Sequence, residues 1–162
     1  MRVLGRSTLR VAWMAVALAA TSAAAVSAQT FDKKVLSLAA ARKIAVAAEE
    51  AAKAKGVDVV VVVVDDAGYI LVLERMDGAQ VASVNVGIGK ARTAAIYRRP
   101  SRVFEEQVRN GRVAALALAD ATPLQGGVPI LLEGKVIGAI GVSGDTPQVD
   151  EDIAIAGAGA FK

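Results

Sequence analysis

The stretch 126–160 restricts the fold most strongly, because its pattern is that of a hairpin that runs directly into a helix. Short apolar strands are expected over 129–132 and 136–142, joined by a tight Glu-Gly-Lys turn. Gly138 and Gly141 interrupt the second strand, and a glycine inside a strand marks a close approach of another backbone or of a ligand. The stretch therefore predicts two paired strands that leave room for a neighbour.

The helix after this hairpin has a well-marked predicted start. Asp145 or Thr146 is suited to cap it, and Pro147 suits its first turn. The amino-terminal turns then carry a run of acidic residues, Asp150, Glu151 and Asp152. Because these charges would repel an anion, we expect them to cap the helix and interact with its dipole rather than to hold a phosphate.

Six consecutive valines over 59–64 predict a strand that is covered on both faces, since a half-exposed strand would alternate apolar and polar residues. A helix is predicted before them over 37–55, with Ser37 as its N-cap and Gly56 at its end. Its apolar stripe is made mostly of alanine, which would let the helix lie close to a sheet. The stripe comprises Leu38, Ala41, Ala45, Ala48 and Ala52, with Ile44 beside it.

The remaining segments predict elements of the same kind. A turn over 65–68 and a returning strand over 69–75 complete a first hairpin. Helices are expected over 83–97 and 101–110, whereas 112–125 stays open beyond a helical turn or two. The longer of these helices has its apolar stripe at Val84, Ile88, Ala91 and Ala95. The predicted fold class is α+β, an antiparallel sheet flanked by helices.

The amino terminus has the organisation of a secretory signal peptide. Three arginines precede an uncharged apolar core, and a small-x-small cleavage site ends at Ala28. The apolar core is short for a membrane span, and an uncleaved anchor is the alternative. We therefore expect removal of residues 1–28, leaving 29–162 as one domain that is periplasmic or secreted.

Composition limits the chemistry of the processed chain. Loss of the three leader arginines reduces the 19 basic residues to 16, equal to the 16 acidic ones. A net charge near zero argues against nucleic acid or a membrane surface as the main partner. The sequence has no Cys and no His, so it lacks disulfides, the commonest general base and the usual haem ligands. Its acidic residues have no EF-hand spacing, and we predict no metal site. We assign no catalytic residue.

Several motifs together resemble the GlcG/HbpS-like family, also called the haem-degrading-domain family. They are G-G-V-P-I and G-x-x-I-G-A-I-G-V-S-G in the last hairpin, D-E-x-I-A-x-A-G in the last helix, R-M-D-G-A from Arg75, K-A-x-T-A from Lys90, and R-R-P from Arg98. The resemblance covers nearly all of the chain from about Leu36. It implies a profilin-like α+β fold, shared with domains fused to some corrinoid adenosyltransferases.

The resemblance also implies a ligand and an assembly. Exported members bind haem and form oligomers, so haem or another tetrapyrrole and a homo-oligomer are the first expectations. Without His, the iron would need another ligand: Met76, Tyr69, Tyr97, Lys90, a hydroxyl such as that of Thr93, or water. The alternatives are an enzyme or accessory protein acting on a small, glycolate-like organic acid, and binding of a corrinoid-related molecule.

A basic cluster is the best functional lead in the residues themselves. Seven basic residues lie between Lys90 and Arg112, opposed only by Glu105 and Glu106. Arginine binds carboxylates through a planar fork, so we predict that the cluster holds an anionic small molecule. The charge and the family motifs together give the predicted site: Lys90, Thr93, Arg98, Arg99, Met76, Asp77, Gly126 and Gly127.

The same cluster has a purely structural interpretation. Charged runs are usually solvated helix faces, and this one could form salt bridges with the acidic last helix. For Lys90 in particular, a structural salt bridge or a contact with a charged ligand is preferred over a catalytic role, since the sequence places no partner beside it.

Overall fold

A computed structural model describes residues 32–161, and the predicted leader 1–28 lies outside this range and stays a prediction. The helices are α1 (Leu38–Lys55), α2 (Ser83–Ile96), α3 (Arg102–Arg109) and α4 (Pro147–Gly159), with a 3-10 turn at Val113–Ala117. The strands are β1 (Val60–Asp65), β2 (Ile70–Arg75), β3 (Gly127–Leu132) and β4 (Lys135–Ser143). None of the described helices is long and apolar enough to cross a membrane.

The strands form one antiparallel sheet in the order β2-β1-β4-β3. The valine run supplies β1, which is hydrogen-bonded on both sides and whose valines are fully buried, as predicted. Val61 and Val63 belong to the core on one face of the sheet, while Val60 and Val62 belong to the core on the other. A continuous valine run is thus explained by two covered faces.

One face of the sheet is covered by α1 and α4. The predicted start and end of α1 are confirmed: the Ser37 side chain accepts a hydrogen bond from the Ala40 N–H at 3.2 Å, and Gly56 has a left-handed φ of 69°. The alanine stripe is buried, but Leu38 is 45% exposed and does not belong to it. Small residues bring α1 close to both the sheet and α4.

Helix α2 covers the other face of the sheet and lies directly against β4. A Cβ on Gly141 would overlap the carbonyl oxygen of Gly87 and lie 2.5 Å from the amide nitrogen of Ala91. The predicted close approach at Gly141 is therefore that of helix backbone. The predicted stripe of α2 is partly wrong, because Val84 and Ile88 are only half-buried and the helix turns other residues inward. These are Ser83, Gly87, Lys90, Thr93 and Ala94, which are buried together with Ala91 and Ala95 of the predicted stripe.

The last hairpin and its helix agree with prediction. Glu133 and Gly134 both have positive φ, 51° and 76°, as a two-residue type I′ turn requires. Thr146 caps α4, since its hydroxyl accepts from the Val149 N–H at 3.4 Å, and Pro147 occupies the first turn. Residues 35–161 form one compact unit.

The contact between α2 and β4 predicts a specific sensitivity to added volume. Gly141→Ala should lower the free energy of unfolding by about 1–3 kcal/mol, because the new methyl group has no space between strand and helix backbone. Gly159→Ala is the matched control, since nothing lies within 4 Å of its added Cβ and alanine favours a helix. Urea unfolding would measure both, and equal stabilities would contradict the close packing.

Candidate functional site

A buried ion pair joins α2 to α4. Lys90 and Asp150 are 3% and 2% exposed, and the Lys90 Nζ donates a hydrogen bond to Asp150 Oδ2 at 2.7 Å. The same ammonium donates to the carbonyl oxygen of Val142 at 3.0 Å. The other carboxylate oxygen of Asp150 accepts from the Asp145 N–H at 3.0 Å. For Lys90 the sequence favoured a structural salt bridge or a contact with a charged ligand, and the structure shows the salt bridge.

The environment of the pair is electrostatically costly. Burial raises the pKa of Asp150 above its ordinary value, while the hydrogen bonds from Lys90 and from the Asp145 N–H act in the opposite direction. Two charges taken out of water lose hydration that their attraction repays only with good geometry and further hydrogen bonds. Lys90 and Asp150 have both, so each depends on its partner.

The Gly126-Gly127 loop packs against this pair. Gly126 has a φ of 122°, and an added Cβ would lie 2.8 Å from the Val142 oxygen and 2.9 Å from the Lys90 Nζ. At Gly127 an added Cβ would overlap the carbonyl group of Lys90. The structure therefore brings the predicted residues Lys90, Gly126 and Gly127 together, with glycine required by backbone conformation and by space.

Two buried hydroxyl groups fix the segment before these glycines. Thr93 Oγ1 donates to the Gly89 oxygen and accepts from the Thr122 N–H, both at 2.7 Å. Ser101 Oγ accepts from the Gly127 N–H at 2.8 Å and donates to the Leu124 oxygen at 2.6 Å. Thr93, a predicted ligand residue, thus holds the loop that closes the site.

A cavity of about 240 Å³ lies beside the ion pair, and both Lys90 and Asp150 line it. Its wall also includes Ser83 from the first turn of α2, Gln125 from the loop and Ser143 from the end of β4. Ser83 is 1% exposed, and its Oγ has no hydrogen-bond partner among the described residues. A buried hydroxyl without a partner is costly, so this wall of the cavity offers a group that a ligand or water would satisfy.

The predicted arginines occupy a different place. Arg98 and Arg99 are exposed and do not line the cavity. Arg98 has a left-handed φ of 55°, and the Arg99 guanidinium lies 5.8 Å from the centre of the Phe104 ring. Tyr97 packs edge-on against Phe104 with the ring centres 5.0 Å apart. We call these four residues, Tyr97, Arg98, Arg99 and Phe104, the arginine–aromatic cluster; its arginines are exposed, Tyr97 is half-buried and Phe104 is buried.

The other two predicted site residues also lie away from the cavity. The Met76 sulfur accepts a hydrogen bond from the Val59 N–H at 3.5 Å, and the side chain packs against the core under α1. Asp77 is exposed. The structure thus divides the predicted site between the cavity, the arginine–aromatic cluster and the region after β2.

The alternative interpretation of the basic cluster is right in part. Besides Lys90, Arg102 pairs with the last helix, through its Nε at 3.3 Å from Glu151 Oε1. Arg92 pairs instead with Asp120 at 3.3 Å. Some of the local positive charge is therefore neutralised within the fold, and it is not all available to an anion.

Ser83 and Gln125 were not among the predicted site residues, and Asp150 was predicted only as a capping residue of an acidic helix that could form salt bridges with the basic cluster. A lysine on an apolar helix face was a signal that a buried counter-charge exists, because such a charge is almost never buried unpaired. Nothing in the sequence separated Asp150 from its acidic neighbours as that partner. Ser83 is recognised as a site residue only because it lines the cavity, and the sequence contained no signal for it.

Comparisons with known proteins give consistent matches. A family model described as haem degrading protein, HbpS-like, matches residues 36–159. Protein GlcG of Escherichia coli K12 is 41% identical over 111 residues, which are 68% of this chain and 83% of GlcG.

Two solved structures have the same fold. A crystal structure of a Streptomyces reticuli HbpS double mutant superposes with a TM-score of 0.77 at 33% identity, covering 83% of this chain and 92% of that one. A crystal structure described as a PduOC:heme complex gives a TM-score of 0.73 at 28% identity, covering 80% and 96%. These neighbours support the α+β fold with its four-stranded antiparallel sheet.

The buried pair predicts a pH-dependent cost when its cation is removed. Lys90→Met should lower the free energy of unfolding by about 3–5 kcal/mol near neutral pH, because Asp150 is left buried and ionised. Burial already raises the pKa of Asp150, and loss of Lys90 raises it further. The cost should therefore shrink as the pH falls and Asp150 takes up a proton.

Denaturant unfolding at about pH 7 and about pH 5 measures this change. The matched control is Lys55→Met, which removes the cation from the exposed pair with Asp152 at 3.2 Å and should cost far less than Lys90→Met, because solvent screens this pair. A Lys90→Met cost that is small, or unchanged by pH, would contradict the account of the pair.

Proposed function

This chain belongs to the HbpS-like family, and from that premise we propose that it is a small-molecule-binding protein whose binding site is the cavity beside Lys90 and Asp150. One observation carries the proposal: the cavity wall combines a buried ion pair with the hydroxyl of Ser83, which has no hydrogen-bond partner within residues 32–161. Concave sites with a few converging polar groups are typical of small-molecule binding.

Stability alone does not account for these groups. Replacement of a buried ion pair by apolar residues of similar volume is often neutral or stabilising, so such a pair is weak support for a structural role. A carboxyl group whose pKa is raised by burial, beside a cavity, is typical of functional sites. The Lys90 ammonium has three donors, of which Asp150 and Val142 take two, leaving one for a ligand.

The cavity does not fit haem. Its volume of about 240 Å³ is below the roughly 300–1,000 Å³ of pockets that hold drug-sized ligands. A tetrapyrrole is larger than a typical drug-sized ligand. The donor set does not fit either. The hydroxyl of Tyr97 donates to the Ala119 oxygen at 2.7 Å, and Met76, Lys90 and Thr93 have the internal hydrogen bonds described above. Tyr69, at 67% exposed, is the accessible member of the predicted set.

Haem is a second candidate ligand, at a surface site. The family description names haem degradation, and a relative of 28% identity has been solved in complex with heme. In this chain the arginine–aromatic cluster offers the exposed guanidinium groups of Arg98 and Arg99 for propionates, beside the half-buried ring of Tyr97. Action on a small organic acid, the alternative that the resemblance implies, would use the cavity instead.

We also propose that the protein is exported and acts as a homo-oligomer. Export is supported by the signal-peptide pattern of residues 1–28. Assembly is supported by large apolar side chains that remain exposed on the described chain, among them Val81, Val113 and Leu116 at 75%, 66% and 61%. Subunit contacts would cover such residues.

Native mass spectrometry of the protein purified from the cell envelope of the source cells tests these points together. We expect a subunit that begins at Gln29, an oligomer, and a retained molecule much smaller than haem.

Ala82→Phe should abolish retention, because Ala82 lines the cavity at an exposed position and the ring would fill it. Asn85→Phe, at an exposed position of α2 outside the lining, is the matched control. Equal retention by both variants would contradict the cavity as the site.

Haemin titration tests the second candidate separately. We expect a Soret band unlike that of bis-imidazole haem, and an affinity at least about tenfold weaker in the double variant Arg98→Ala, Arg99→Ala, since each lost charge-assisted hydrogen bond costs about 1.5–3 kcal/mol. Arg42→Ala with Lys43→Ala removes the same charge from exposed positions of α1, on the other face of the sheet, and should leave binding unchanged. Equal affinities in all three proteins would assign the arginines to a solvated helix face. The absence of saturable binding would exclude haem as a ligand of this protein.

A further inference from the structure

The charges around the cavity nearly cancel. Lys90 contributes one positive charge to the lining, and Asp145 and Asp150 contribute two negative ones, so the formal sum is −1. Helices α2 and α4 both begin at the cavity, where Ala82 and Pro147 line it, and each helix start carries about half a positive charge. Together these contributions leave the cavity close to electrically neutral.

Hydrogen bonding separates the ligand classes further. Ser83 Oγ can donate or accept, whereas the carboxylates of Asp145 and Asp150 can only accept. A ligand carboxylate can also only accept hydrogen bonds, so it cannot bond to these two carboxylates. It would lie beside their two negative charges, while the ammonium of Lys90 is already paired with Asp150 at 2.7 Å. A ligand hydroxyl can donate to a carboxylate and accept from Ser83 or Lys90, so it matches the whole wall.

Size restricts the ligand as well. At about 30 Å³ for each water molecule of the liquid, a volume of about 240 Å³ corresponds to roughly eight waters. That is room for a short carbon chain with its hydroxyl groups. The apolar part of the lining, which includes Val86 and Leu124, can contact the carbon atoms of such a chain.

We infer that the cavity binds a neutral, hydroxyl-bearing molecule of about the size of glycerol or a short sugar alcohol, in preference to a carboxylate of the same size. The inference rests on the proposed binding function of the cavity and specifies its ligand class. It also changes the expectation from the sequence, where the basic cluster indicated an anion: the arginines of that cluster lie outside the cavity, and its lysine is paired.

Three probes with matched carbon skeletons test the charge preference: glycerol, glycerate and 2-amino-1,3-propanediol. Their titration into the ¹⁵N-labelled protein, followed by chemical-shift changes at Ser83, Gln125 and Ser143, reports affinity and location together. We expect saturable shifts with glycerol and at least about tenfold weaker binding of glycerate and of the amine. Tighter binding of either charged probe would overturn the inference and leave the cavity as a binding site.

The unpartnered hydroxyl provides a second test. Ser83→Ala should weaken glycerol binding about tenfold and leave the Tm of the free protein unchanged or higher, because the variant loses a buried group that has no partner in the described part of the chain. Asn85→Ala, at an exposed position of the same helix outside the lining, should change neither quantity.

Unchanged glycerol affinity in Ser83→Ala would overturn the role of the hydroxyl in the inference. No saturable shift from any probe would overturn the inferred ligand class. The comparison of Ala82→Phe with Asn85→Phe then reports independently on whether the cavity binds another molecule.

Discussion

The structure depends on one buried electrostatic contact, the pairing of Lys90 with Asp150. It connects α2, on one face of the sheet, to the start of α4, on the other face. The Lys90 ammonium also donates a hydrogen bond to the Val142 carbonyl near the end of β4. Burial requires that both charges keep their partners, so the relative positions of α2, β4 and α4 are fixed at this point. The Gly126-Gly127 loop lies against the pair because no side chain fits there.

Close packing of helix and sheet makes this contact geometrically feasible. Gly141 lets the backbone of α2 approach β4, and Gly127 lets the loop approach the carbonyl group of Lys90. Thr93 and Ser101 then hold the loop by their hydroxyl groups. The cavity is the space left where these elements meet, and its polar wall follows from the residues that pair and pack there rather than from the exposed arginines.

Local features of the fold were predictable because each depends on neighbouring residues. The valine run specified a strand with two covered faces, Ser37 and Gly56 bounded α1, and the Glu-Gly turn with Thr146 defined the last hairpin and helix. The site was less predictable, since Lys90 and Asp150 are 60 positions apart and only the tertiary fold brings them together. Arg98 and Arg99 are close to Lys90 in sequence, yet they lie beyond the end of α2 and outside the cavity.

A double-mutant cycle between the two charged residues measures the contact on which this description rests. Lys90→Met and Asp150→Leu are compared singly and together by equilibrium unfolding at about pH 7, where Asp150 is expected to be ionised in its pair. We predict that each single change costs about 3–5 kcal/mol and that the double variant is more stable than either, because it buries no unpaired charge. Costs that simply add, with the double variant the least stable of the three, would contradict a coupled buried pair.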